Sequence, residues 1–99
     1  MVDLSKVIGF EWDQGNARKN GQHEVTMAEA EQAFFNSPLL VLLDPKHSAV
    51  ESRFHALGRT NAGRRLHIFF TLRDAERLIR VISARDVHRR ERTVYEQTS

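Results

Sequence analysis

Three strand-length runs in the second half of the chain are separated by very short connections, and this feature constrains the fold most. Arg53 to Arg59, Arg65 to Thr71 and Arg77 to Ile82 read as strands, the last a short β-rich run of Leu78, Ile79, Val81 and Ile82. Asn61-Ala62-Gly63 and Arg73-Asp74-Ala75-Glu76 supply the turns between them. A parallel crossover needs about a dozen residues or more, so connections this short predict consecutive antiparallel hairpins. Upstream, Leu39 to Leu43 is an unbroken apolar run of strand length that Asp44-Pro45 turns, and Lys46 to Val50 reads as loop. Val7 to Trp12 alternates apolar with small or polar residues and reads as a first strand.

Helix signals flank this β-rich region. Thr26-Met27-Ala28-Glu29 fits a capping box, with a hydroxyl at the N-cap and a carboxylate three residues on. It opens an amphipathic helix through Phe35, with Met27, Ala30, Ala33 and Phe34 on its apolar stripe. Asn36-Ser37-Pro38 ends it, because proline disfavours helix in the residue before it. Asp13 is an N-cap candidate for a polar helix from Gln14 to about Asn20, stopped by Gly21. Ser83-Ala84-Arg85-Asp86 resembles a second capping box and predicts a helix from about Asp86 to Gln97. The expectation is a single α+β domain over residues 1–99: an antiparallel sheet packed with two N-terminal helices and one C-terminal helix.

Composition narrows the function. At 99 residues and 40% hydrophobic content the chain supports one modest core. No apolar run approaches the ~18 residues that would span a bilayer, so no membrane role is expected. With Asp3 and Lys6 and no apolar h-region, the first residues are not expected to be a signal peptide, and cysteine is absent, which excludes disulfides and thiolate metal sites. Together these favour the cytoplasm. Net charge is only +2, but most of the arginines lie from Arg59 onward, where the acids are Asp74, Glu76, Asp86, Glu91 and Glu96. The basic C-terminal half suits a polyanion, since the guanidinium is the side chain for forked recognition of phosphate.

Strand alternation then places the chemistry. Arg53, His55 and Leu57 share one face of their strand, and Arg65, His67, Phe69 and Thr71 share one face of the next. Arg80 faces away from Ile79 and Val81. One side of the sheet can therefore pack on helices while the other presents Arg53, His55, His67 and Arg80 with Phe69 among them. That mixture suits RNA: cations for phosphate, an aromatic for base stacking, imidazole for proton transfer. The bland reading is a solvated sheet face, which antiparallel sheets commonly have. His47, His55, His67 and His88 lack the spacing that sets two metal ligands on one helix face, and no phosphate loop or nucleophile elbow is present. If the chain is an enzyme, chemistry that needs neither a cofactor nor a covalent intermediate is expected. RNA cleavage meets that condition, because RNA brings its own nucleophile, the 2′-OH.

A family resemblance joins these residues. Phe10-Glu11-Trp12-Asp13, Lys19-Asn20, His23 with Val25, Glu29-Ala30-Glu31, Phe34-Phe35, Glu51 with Arg53, Gly58-Arg59-Thr60, Arg80-Val81-Ile82-Ser83-Ala84-Arg85, and Arg89-Arg90-Glu91-Arg92 with Tyr95 occur in the order seen in BrnT toxins, which the chain resembles. The resemblance implies a RelE-like fold and metal-independent cleavage of RNA that arrests translation. It also implies a BrnA-type ribbon-helix-helix antitoxin and repression of operator DNA by the complex. His23, Glu51, Arg53, Arg80 and Arg85 are the catalytic candidates. Arg85 is expected where the last strand enters the last helix, beside helix N–H groups that attract phosphate. Lys19, His55, His67, Arg89 and Arg92 are the RNA-binding candidates, Tyr95 is expected to pack on the sheet, and Trp12 to join the core. The alternative class is a non-catalytic module that binds nucleic acid or an antitoxin.

Overall fold

In the computed structural model, residues 4–12, 24–44 and 51–98 are described. The elements among them are β1 (Gly9–Glu11), α1 (Met27–Phe35), β2 (Leu40–Leu43), β3 (Arg53–Arg59), β4 (Arg65–Arg73), β5 (Leu78–Asp86) and α2 (Arg89–Thr98). The five strands form one sheet in the order β1-β5-β4-β3-β2. The pairs β2–β3, β3–β4 and β4–β5 are antiparallel, as the short connections require. The β1–β5 pair is parallel, with Gly9 opposite Leu78 and Glu11 opposite Arg80, so the sheet is mixed rather than antiparallel. Connection length sets the direction of hairpin neighbours. It says nothing about a strand whose partner lies at the far end of the chain.

The expected helix from Gln14 to Asn20 lies outside the described residues. The capping box of α1 is formed: Thr26 Oγ1 accepts from the Glu29 N–H at 3.0 Å, and Glu29 Oε1 accepts from the Thr26 N–H at 3.0 Å. Buried Ala30 and Ala33, with Phe34, press α1 onto the sheet face made by Ala56, Ile68, Phe70, Val81 and Ala84. Phe70 is fully buried, with Phe34 edge-on at 5.1 Å between ring centroids and Phe54 at 5.6 Å. The approach is close enough to demand glycine at Gly58, where a Cβ would stand 2.7 Å from the Ala33 carbonyl oxygen. Trp12 packs against this core, and its Nε1–H donates to Glu31 Oε2 at 2.7 Å.

The last strand corrects the sequence reading in two ways. First, β5 continues through Ser83-Ala84-Arg85 to Asp86, and α2 begins only at Arg89. Ser83 is therefore not a helix cap, because it pairs with Phe69 inside the sheet. The carboxylate that serves the start of α2 is Glu91, whose Oε1 accepts from the His88 N–H at 2.7 Å. Second, the register of β4 and β5 shifts between Phe69 and Phe70: Phe69 faces Ser83, but Phe70 faces Val81, leaving Ile82 as the extra residue of a bulge. Strict alternation would put Arg80 and Arg85 on opposite faces. The bulge reverses the parity, so both share the face opposite α1.

Candidate functional site

The sheet face opposite α1 is ordered in rows by strand register. One row runs Glu11, Arg80, Thr71, Arg53 across β1, β5, β4 and β3. The next holds Ser83, Phe69 and His55, and the third Arg85, His67 and Leu57. α2 crosses the end of this face. Tyr95 is buried there, its hydroxyl donating to the Pro38 carbonyl at 2.6 Å, and burial raises its phenol's pKa against the pull of Arg59 and Arg65.

Beneath the start of α2 lies a chain of four polar side chains. Arg85 forks onto Glu91, Nη1 to Oε1 at 2.9 Å and Nη2 to Oε2 at 3.0 Å. Glu91 Oε2 lies 2.6 Å from His67 Nδ1, and His67 Nε2 lies 2.9 Å from His55 Nδ1. His67 is 5% exposed. Phe69 stacks against both imidazoles, with centroids at 4.5 Å from His67 and 5.7 Å from His55. Arg85 Nη2 also sits 3.0 Å from His67 Nδ1, a nitrogen that cannot both donate to Glu91 and accept from Arg85. The Glu91 contact is the shorter and ends on a carboxylate, so Nδ1 carries the proton and the Arg85 approach is a consequence of its fork on Glu91.

The ionisation states follow from the surroundings. Burial opposes the Glu91 carboxylate, yet the Arg85 fork and the His88 N–H hold its pKa at about 2. Burial lowers the pKa of His67, Arg85 and His55 push the same way, and Glu91 opposes them. At pH 7 the pair is a carboxylate beside a neutral imidazole.

The sequence candidates distribute unevenly. Arg53, His55 and Arg80 lie on the open part of the face. Arg53 and Arg80 flank Thr71, two strand spacings or about 10 Å apart. Arg80 also pairs with Glu11 at 3.2 Å. Glu51 pairs with Arg73 at 3.2 Å rather than with Arg53. Arg85 is a strand residue engaged with Glu91 instead of a junction residue beside a helix end. His67 lies too deep to touch a ligand and reaches one only through His55. Arg89 and Arg92, with Arg65 and His88, line a polar cleft of about 540 Å³ between α2 and the adjoining ends of β4 and β5. Lys19 and His23 lie outside the described residues. Sequence reading missed Glu91. The available signal was its place three residues after His88, the N-cap spacing of a capping box, but Ser83 offered the same pattern earlier.

Among the described residues no helix is long and apolar enough to cross a membrane, and no group of three His, Cys, Asp or Glu residues is arranged to hold a metal ion. Residues 12–91 match a family model described as "Ribonuclease toxin, BrnT, of type II toxin-antitoxin system". No curated protein matches the chain.

Proposed function

Since the chain belongs to the BrnT family of ribonuclease toxins of type II toxin–antitoxin systems, we propose that it cleaves RNA on the sheet face that holds Arg53, His55, Phe69 and Arg80. The observation that carries this reading is the pair of arginines flanking Thr71 in the row next to His55. The two guanidiniums, carried by strands about 10 Å apart, bracket a phosphodiester and neutralise the charge that develops on it. An imidazole beside them takes the 2′-OH proton. The 2′ oxygen then bonds to phosphorus as the bond to O5′ breaks, and O5′ takes up a proton. The products are a 2′,3′-cyclic phosphate and a 5′-hydroxyl end. Phe69 offers an aromatic surface for a base, and Arg89 and Arg92 in the neighbouring cleft contact flanking phosphates. Neither the donor set nor the chemistry calls for a metal.

In the cell this activity inhibits translation in the cytoplasm. It is held in check by an antitoxin of the BrnA type, a ribbon-helix-helix protein whose complex with the toxin represses their operator DNA. The test is expression with and without the adjacent reading frame, together with purified protein on a defined RNA. Growth arrest relieved by the neighbour, and fragments with 5′-hydroxyl ends, support the reading. Unimpaired growth with intact RNA overturns it in favour of a non-catalytic binding module.

A further inference from the structure

His55 is the outer end of a hydrogen-bonded chain whose inner end is clamped, and that fixes which of its nitrogens is free. Glu91 is ionised and accepts only, so His67 carries its proton on Nδ1, 2.6 Å from Glu91 Oε2. His67 is neutral, so its Nε2 is an acceptor. His55 Nδ1, 2.9 Å away, must then be the donor. The remaining nitrogen, His55 Nε2, is left with a lone pair and has no hydrogen-bond partner among the described residues.

We infer that Glu91, acting through His67, sets the tautomer of His55 so that its Nε2 is the proton acceptor for the RNA 2′-OH, and that Arg85 is the residue that holds Glu91 in position. The ribonuclease role of this inference rests on the proposed function; the tautomer itself does not. Every element packed around the pair supplies part of the arrangement. From β5, Arg85 grips both carboxylate oxygens, and from the residue just before α2 the His88 N–H donates a second hydrogen bond to Oε1. From β4, Phe69 covers the imidazole faces, so the rings keep their in-line contact. When His55 Nε2 takes the proton, the imidazolium is stabilised by its Nδ1–H bond to His67, which Glu91 polarises from behind. His55 is the catalytic residue in this scheme, while His67, Glu91 and Arg85 are positioning residues.

The sharpest perturbation is Glu91→Gln. Arg85 Nη1 and the His88 N–H both point at the Oε1 position and would hold the amide oxygen there, placing the amide NH₂ against His67 Nδ1. An amide donor forces His67 Nδ1 to accept, moves the His67 proton to Nε2, makes His55 Nδ1 an acceptor and leaves a proton on His55 Nε2. The proton acceptor is thereby lost, and the one contact given up is that of Arg85 Nη2 at the Oε2 position, where the amide also donates.

Long-range ¹H–¹⁵N NMR on the labelled, folded protein reads these tautomers directly and needs no RNA. The expected result is both histidines protonated at Nδ1 in the native chain and at Nε2 in Glu91→Gln. RNA cleavage should fall about a hundredfold or more in the variant, with RNA binding unchanged. His67→Phe is the second variant. It keeps the stacked ring and the Arg85–Glu91 pair, removes the relay, and should give a mixed His55 tautomer with a smaller, few-fold loss of rate, since part of the population keeps Nε2 as the acceptor. A native His55 protonated at Nε2, or tautomers that do not respond to either variant, overturns the inference. So does native cleavage that both variants retain. If the native protein shows the expected tautomers but cleaves no RNA, it is the ribonuclease reading that fails.

Discussion

Glu91 makes a stability prediction as well as a chemical one. Its carboxyl is held at about 2 against an ordinary 4.5, and its side chain is 23% exposed. At 1.36 kcal/mol per unit, that interval corresponds to about 3 kcal/mol of folding free energy. His67 is neutral near pH 7 and adds little positive charge to the site, and partial exposure screens the rest, so about 2 kcal/mol is the working figure. The folded-state pKa lies below the unfolded one, so the unfolded chain binds the proton more tightly. The contribution is therefore complete above pH ~5 and is lost as pH falls through 4.5 toward 2. Glu91→Gln should lower Tm by roughly 10 °C at pH 7 for a chain of this size, and the gap to the native protein should close on acidification. The assay is thermal and urea unfolding of both proteins at pH 7, 5 and 3. His67 also weakens the fold as pH drops below its ordinary 6.5, because burial makes the folded state resist the proton; Glu91 opposes that shift, so this loss is larger in the variant and the gap closes only below pH ~5, where the carboxylate itself titrates. A constant gap across the three pH values would refute the reasoning, since the carboxylate would then have no special hold on its partners.

The remaining predictions concern the core, the β4–β5 turn and the reaction conditions. Phe70→Ala removes a fully buried ring from between Phe34 and Phe54 and should cost about 3–5 kcal/mol by urea unfolding. Glu76→Gly should raise Tm by a few degrees, about 4 °C: Asp74, Ala75 and Glu76 all sit at positive φ, with Glu76 at 71°, where a side chain is unfavourable and glycine is not. A lower Tm would mean that the turn holds Glu76 by contacts that outweigh its backbone cost. RNA cleavage should survive EDTA, because the proposed groups are arginine and imidazole. Loss on chelation with rescue by Mg²⁺ or Mn²⁺ would count against them.

What the sequence disclosed and what it withheld divide along one physical line. Alternation within a strand and short turns between strands are local, so the faces of β3 and β4, their pairing, and the company of Arg53, His55, Phe69 and Arg80 could be read from residue order. The capping box of α1 was local in the same way. The parallel seat of β1 against β5 was not legible, because it joins strands from opposite ends of the chain that no short connection relates. The bulge at Ile82 was not legible either. It arises from pairing between two strands rather than from the composition of one, yet it decides that Arg85 lies on the same face as Arg80 and opposite His67. Ser83-x-x-Asp86 carried a plausible cap pattern, but local propensity yielded to sheet pairing, and β5 ran on past it. Because it does so, Arg85 faces the sheet's polar side, and α2 starts late enough to set Glu91 over His67. The connection between a helix carboxylate and a strand histidine 24 positions away in sequence is thus produced by the bulge and the extended strand together. That is why the residue which governs the site's protonation is the one that motif reading passed over.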